Sequence, residues 1–510
     1  MKQVAYMMYI VESGRSSCKL LKMNMNLILR SLHLLLLTVF TANAQEVGVC
    51  YEKIIAADRK PDDWFGFSTS MSKDFAIVGA LMKEKLKNGI IVKESGAVFF
   101  FRRDKFNHWK EVQKIEGPGA TPYQWFGCSV SISGDYAIVG ANGDHDALDS
   151  TTQVRKGAAY LFKRNEQNKW IEIQKLVLKN RSPQDAFGKI VFIQGNYIAV
   201  SATGVQLDRG HPESKGCVFI YNLLYNEKGN PVDTIISPDK ESADFGESIG
   251  LYGNQLVVTG GKTIYLYQRG ASDKWVQTQV LQPGDSSNSG RSIHVSVCKD
   301  YLLVGQAGDY SPFEGKDIPL TDSVYQFASI NPSGDFKSIY VINDKHLRDS
   351  FGISASRFKK GAQIVESAEI RKKRMAGAGT AYIYHKDKNG KWILAQQVYA
   401  SDRKYDQHFG NSVSISDSLA IIGAFGDKLD GQEVKNNFYA GAAYVFKLDK
   451  SGEWKLERKL TSNQRAVWTK FGFSVGAFDN TAIIGSRFES GDILEQHFCR
   501  NAGAVYIYKH

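Results

Sequence analysis

A closed, all-β propeller of four-stranded blades is the fold this sequence predicts, and three observations predict it. A phrase recurs eight times, seven of them opening on an aromatic-glycine pair. Each copy runs on into further strand-like segments, which makes four strands per unit. The last copy stops one strand short, while the start of the folded region supplies one in excess.

The first 44 residues fall outside this pattern. Lys19, Lys22 and Arg30 precede a short apolar run, Leu32 to Phe40, and then Ala42-Asn43-Ala44. That is the layout of a secretory signal peptide cut after Ala44, with Met23 or Met25 as alternative starts. The expected organisation is therefore residues 1–44 as upstream segment and signal, and 45–510 as one propeller domain. No other run approaches the roughly 20 apolar residues of a membrane-spanning helix. Of the formal charge of +11, five basic residues against Glu12 lie in the signal region, which leaves +7. Basic and acidic residues are mixed apart from Arg371–Arg374, and no aromatic-interleaved basic track suggests nucleic acid. Five cysteines remain, Cys50, Cys128, Cys217, Cys298 and Cys499, in no zinc-binding spacing. A Cys50–Cys499 bridge is one option, since both fall near the closing sheet.

The units begin at "WFGFSTSMSKDFAIVGA", "WFGCSVSISGDYAIVGA", "AFGKIVFIQGNYIAVSA" and "DFGESIGLYGNQLVVTG", then at Gly290, "SFGISASRFKKGAQIVES", "HFGNSVSISDSLAIIGA" and "KFGFSVGAFDNTAIIGS". After a polar loop comes a third strand such as "GAAYLFKR", then a charged hairpin and a fourth strand such as "KWIEIQKL". The third strands do not alternate apolar with polar, as expected where blades packed face to face bury both sides of every sheet. The final unit ends after "GAVYIYKH", and Tyr51 to Ala56 aligns with a fourth strand, so the N-terminal strand should complete the last blade. Closure removes the sheet edges that an open stack would expose. The repeat count gives eight blades, or seven if the degenerate unit at Gly290 is absorbed into a neighbour.

The order Phe126-Gly127, Val139-Gly140-Ala141, then the strand from Gly157 to Phe162, repeated along the chain, resembles the FG-GAP repeat of the integrin α-subunit propeller and of secreted bacterial proteins. Calcium-binding members of that family carry a "DxDxDG"-type loop between the first two strands of a blade. This chain has tight hairpins there, with Asp74 and Asp135 as turn residues, so the family's calcium loop is not carried over; no cofactor is expected, with calcium as the alternative.

The recurring pairs Phe65-Gly66, Phe126-Gly127, Phe187-Gly188, Phe245-Gly246, Phe351-Gly352, Phe409-Gly410 and Phe471-Gly472 read as architecture, the ring wedged between blades and the glycine allowing close backbone approach. Asp63, Asp185, Asp244, Asp349 and Asp406 precede them. Their repetition suits a turn-stabilising role better than a glycosidase carboxylate pair, which is needed once. No "GxSxG", "HExxH" or Walker loop is present, so no catalytic residue is assigned.

Function is expected where the copies differ. The loops from second to third strand share one face with the crossings between blades, and that face carries the long variable insertions. The residue before Phe-Gly varies freely, which suggests that the fold demands little of it and makes Trp64 and Trp125 candidates for a stacking platform, against interblade packing as the alternative. In the insertions, Asp144, His145, Asp146, Asp309, Tyr310, Asp427 and Asp430 are ligand-binding candidates. Their carboxylates suit oxygen ligation of a cation or simple turn chemistry. The expected activity is non-catalytic binding of a protein or glycan by a secreted, periplasmic or cell-surface protein, in adhesion or envelope-type recognition. An extracellular carbohydrate-active hydrolase or lyase using carboxylates on the same face is the alternative.

Overall fold

The computed structural model describes residues 51–509 except 119–121, 146–155, 179–184, 205–215, 225–228, 240–243, 284–292, 308–323, 331–335, 344–361, 365–376, 404–405, 429–438, 463–465, 467 and 492–496. The described elements are all strands, and none of them is a helix long and apolar enough to cross a membrane.

Seven four-stranded antiparallel blades make up the propeller among the described residues. Blade 1 runs Phe65–Met71, Phe75–Ala80, Ala97–Arg103 and Trp109–Glu116, and blade 2 runs Val130–Ser133, Tyr136–Ala141, Ala158–Arg164 and Trp170–Leu176. Blades 3 and 4 follow in the same order from Phe187 and Ile249. Blade 6 starts at Phe409, and blade 7 uses Phe471–Phe478, Thr481–Ser486 and Ala504–Lys509. Its fourth strand is Tyr51–Ile54, antiparallel to Ala504–Lys509 with Tyr51 opposite Tyr508. The N-terminal strand therefore closes the ring as the sequence predicts.

The repeat count of eight is corrected to seven. Blade 5 takes its inner pair from Ile293–Val297 and Tyr301–Gln306 and its outer pair from Thr380–Lys386 and Trp392–Val398. Between them Val324–Ile330, Phe336–Asn343 and Ala362–Ile364 pair as a separate three-stranded sheet. Phe351-Gly352, counted as a blade start, lies outside the described residues. Blade 5 meets blade 6 directly: Gly379 bridges Phe409, and the Ser296 hydroxyl accepts the Ile415 N–H at 3.1 Å. No blade can stand between them.

Third strands are buried along nearly their whole length, as in "AVFFFRR" and "AAYLFKR", because each face meets a neighbouring blade. Every described Phe of the Phe-Gly pairs is fully buried, and Phe65 meets Phe99 of its own blade edge-on at 5.2 Å.

Three belts join blade to blade. On the innermost strands, Ser70, Ser131, Ser296 and Ser414 accept the N–H of Ile132, Ile193, Ile415 and Ala477 of the following blade at 2.9–3.2 Å. On the rim, Gln113, Gln279 and Gln396 each bracket the backbone of a fourth-strand tryptophan in the following blade, Trp170, Trp392 and Trp454, accepting its N–H and donating to its carbonyl. Between these belts, the glycines just before the third strands, Gly96, Gly157, Gly441 and Gly503, bridge Phe126, Phe187, Phe471 and Phe65.

The hairpin Gly134-Asp135 joins its strands with two residues, and Asp135 pairs with Arg164 as Asp74 does with Arg103. These aspartates are turn residues. Cys128, Cys217, Cys298 and Cys499 are free thiols, while Cys50 lies outside the described residues.

Candidate functional site

Two of the candidate carboxylates turn out to be internal. Asp144 and Asp427 are buried, each in the same four-part network. In blade 2, Asp144 Oδ2 accepts from Gln124 Nε2 at 2.8 Å and Tyr160 Oη at 2.7 Å, and Lys175 Nζ lies 2.9 Å from Oδ1. In blade 6, Asp427 Oδ2 accepts from Gln407 Nε2 at 3.0 Å, lies 2.9 Å from Tyr444 Oη, and pairs with Lys459 Nζ at 2.7 Å. Burial, and after it the carboxylate alongside, pushes both phenols well above the usual tyrosine range. The cation-ligating reading of Asp144 and Asp427 is thus replaced by a structural one, since their oxygens already hold a glutamine, a tyrosine and a lysine. A Gly-Asp pair in a sequence resembles an exposed turn. Only the spaced glutamine, tyrosine and lysine reveal a network.

Blade 1 contains the same network with its charges exchanged. Asp63 stands where blade 2 has Gln124, Lys83 replaces Asp144, Phe99 replaces Tyr160, and Lys114 matches Lys175. Lys83 Nζ lies 2.7 Å from Asp63 Oδ2 and 3.2 Å from Asp58, which also meets Lys114 at 2.8 Å. Burial holds Asp63 above the usual carboxylate range despite Lys83 beside it. Asp185 is buried too, whereas Asp349 lies outside the described residues.

Among the remaining candidates, His145 is half-buried with Nδ1 3.1 Å from the Gly143 carbonyl oxygen. Asp146, Asp309, Tyr310 and Asp430 lie outside the described residues. Trp125 donates Nε1–H to Glu94 at 3.0 Å. Trp64 has a different set of neighbours, Phe67, Phe488 and Arg487, so the two tryptophans form no joint platform.

The fold does make a demand on the residue before Phe-Gly. Trp64, Trp125, Ala186, Asp244, His408 and Lys470 all have positive φ, between 52° and 65°. The crossing from one blade to the next imposes this left-handed backbone on side chains of every kind, at roughly 1–2 kcal/mol each. What varies freely is the side chain, and in three adjacent blades it builds something.

His408, Lys470 and Trp64 of blades 6, 7 and 1 join one continuous stack of rings and cations at the loop-rich end. The His408 ring stacks on Phe425 at 4.6 Å, and Phe425 faces Tyr439 at 6.0 Å. Lys470 Nζ lies 5.3 Å from the Phe425 ring centre, 5.5 Å from Tyr439 and 5.2 Å from Phe488. The Arg487 guanidinium follows, 3.7 Å over Phe473, 4.6 Å from Phe488 and 5.1 Å from Trp64. Tyr439 leans on Trp468 at 5.0 Å, and Trp468 is 50% exposed. Asp406 anchors one end, receiving Tyr439 Oη at 2.7 Å and lying 2.8 Å from His408 Nε2. Burial works against the Asp406 carboxylate, but these two bonds outweigh it and hold it below the usual range. Burial next to Arg487 brings the Lys470 ammonium down to about 8.

Sequence reasoning singled out Trp64 as a stacking candidate but saw His408 and Lys470 only as unmatched copies of the same position. Ring closure, which brings Lys470 of blade 7 and Trp64 of blade 1 against the same Phe488, is the signal that would have joined them.

The opposite end is plainer. The inner strands line an axial cavity of about 440 Å³ with serines and apolar side chains such as Ile132 and Phe192, together with Tyr252, Cys298, Asp417 and Asp479. Burial pushes the Cys298 thiol up to about 11, which makes it a poor nucleophile at neutral pH. Among the described residues no group of three or more His, Cys, Asp or Glu side chains could hold a metal ion.

No curated protein matches the chain. Among solved structures, the periplasmic gluconolactonase of Pseudomonas aeruginosa is 10% identical with a TM-score of 0.39, over 77% of this chain and 85% of that one. A protein from Lactobacillus plantarum is 11% identical with a TM-score of 0.42, over 81% of this chain and 88% of that one. The FG-GAP repeat family matches residues 51–101, 109–162 and 392–446, within blades 7 and 1, blades 1 and 2, and blades 5 and 6. The chain carries FG-GAP repeats, and its β-propeller is consistent with the integrin α-like FG-GAP propeller.

Proposed function

We propose that this propeller is a non-catalytic binding protein, secreted or displayed at a cell surface, that recognises a protein or glycan through its loop-rich face. One observation carries the reading: the ring-and-cation stack of blades 6, 7 and 1 sits on that face and departs from the repeat. In other blades the position before Phe-Gly builds no such stack: Trp125 bonds Glu94, and Ala186 has only a methyl group there. Here Trp64, Tyr439, Phe488 and Trp468 keep part of their rings in solvent, and Trp64 sits at a position where the crossing asks only for a backbone conformation. Exposed rings on a rigid scaffold give contact area at low entropic cost.

The test is capture of the mature chain on a panel of immobilised glycans and surface proteins, repeated with the Trp64→Ala/Trp468→Ala double variant. Binding that the double variant loses, with an unaltered melting curve, supports the reading. Capture that the variant retains in full moves recognition away from this stack. The described candidate His145, in the loop that follows Tyr136–Ala141, would extend the contact.

A further inference from the structure

We propose that Lys470 and the Tyr439–Trp468 ring pair form a subsite for one uronic-acid residue of an acidic polysaccharide, the ammonium holding the sugar carboxylate and a ring face holding the pyranose. This rests on the loop-rich face being the recognition surface and names its ligand class.

Lys470 is only 7% exposed, yet among the described residues its ammonium meets no carboxylate and no hydrogen-bond acceptor. Its surroundings are three rings and Arg487, a charge of the same sign. Burying a cation without a counter-charge is unfavourable, and the crossing does not require one, since Trp, Ala, Asp and His occupy the same backbone position in other blades. The opposite arrangement exists elsewhere in this chain: buried Lys83 and half-buried Lys459 each have a carboxylate within 2.7 Å. Lys470 is the position where a carboxylate is missing, and a ligand can bring it.

The rings specify what else the ligand carries. The space between Phe473, Phe488 and Trp64 is filled by the guanidinium of Arg487, so no apolar hole remains for a peptide side chain. The solvent-facing part is flat ring surface at Trp468 and Tyr439, next to the cation. A pyranose with a carboxyl substituent offers a C–H face and a carboxylate in one rigid unit, which matches a flat ring beside a charge. An acidic peptide offers the carboxylate alone.

The experiment uses the mature chain with three probes: polygalacturonate, its fully methyl-esterified form, and polyglutamate, with binding followed by calorimetry. Polygalacturonate should bind best, with the ester and polyglutamate at least about tenfold weaker. Lys470→Met should lose about tenfold for polygalacturonate while melting no lower than the parent, and Lys470→Arg should retain most of the affinity. Unchanged binding by Lys470→Met, or a preference for polyglutamate, overturns the uronate assignment and leaves face recognition standing. No binding to any of the three also overturns it, and the glycan and protein panel then decides separately whether the face binds at all.

Discussion

A β-carbon added to Gly79 would stand 2.2 Å from the carbonyl oxygen of Gly127 in the next blade. The same relationship joins Gly140 to Gly188, Gly305 to Gly410, Gly423 to Gly472 and, across the closure, Gly485 to Gly66. It explains why the Phe-Gly pair and the later Val-Gly-Ala or Ile-Gly-Ala travel together: the two glycines of successive blades touch. Gly79→Ala should therefore cost about 2–4 kcal/mol, because the obstacle is backbone and cannot rotate away. Urea unfolding checks this. A loss below about 0.5 kcal/mol, the size of an ordinary surface change, would refute the contact.

The exchanged charges of blade 1 make a second prediction. Lys83→Met leaves Asp63 buried without its partner and should destabilise by about 3 kcal/mol. The triple variant Asp63→Gln/Lys83→Asp/Phe99→Tyr rewrites blade 1 as blade 6, where Asp402 stands in for Asp58 and Lys459 for Lys114. It should return to within about 1 kcal/mol of the parent in the same urea assay. A triple variant less stable than Lys83→Met would show that the two networks are not interchangeable.

Much of this fold was legible because a propeller writes its constraints once per blade. Buried Phe126, the fully apolar third strands and the spare strand at Tyr51 each follow from a local pattern. The blade count was not legible in the same way. Blade 5 is split by the segment 307–379, and Phe351-Gly352 inside it copies the signal of a blade start. The role of Asp144 was hidden for another reason. Its partners Gln124, Tyr160 and Lys175 come from the crossing and from two different strands, so no contiguous motif contains them. The stack at Lys470 required both the positive φ of the crossing and the closure of the ring.

Closure itself can be tested by removing residues 51–56. Four paired residues of the last blade are lost, and the strand Ala504–Lys509 becomes an open edge. The melting temperature should fall by at least about 10 °C, and the exposed edge should promote association in gel filtration. An unchanged melt would mean that the Tyr51–Ile54 strand contributes nothing to the ring.

Lys470 gives the prediction that links stability to recognition. Unfolded, its ammonium keeps its proton to about pH 10.4, whereas in the folded chain burial beside Arg487 lowers that point to about 8. Between these values the unfolded state binds more protons, so stability rises with pH across this window, and below pH 8 the buried charge works against the fold. The three rings offset part of that cost through cation–π attraction. Lys470→Met should therefore be more stable than the parent by about 1 kcal/mol at pH 7, with the gain shrinking as pH is raised from about 8 to 10. Over the same range the parent should lose affinity for polygalacturonate as its cation discharges, while Lys470→Arg should hold its affinity. A Lys470→Met variant that is less stable at pH 7 would make the ammonium a structural element, and the anion subsite would lose its physical basis.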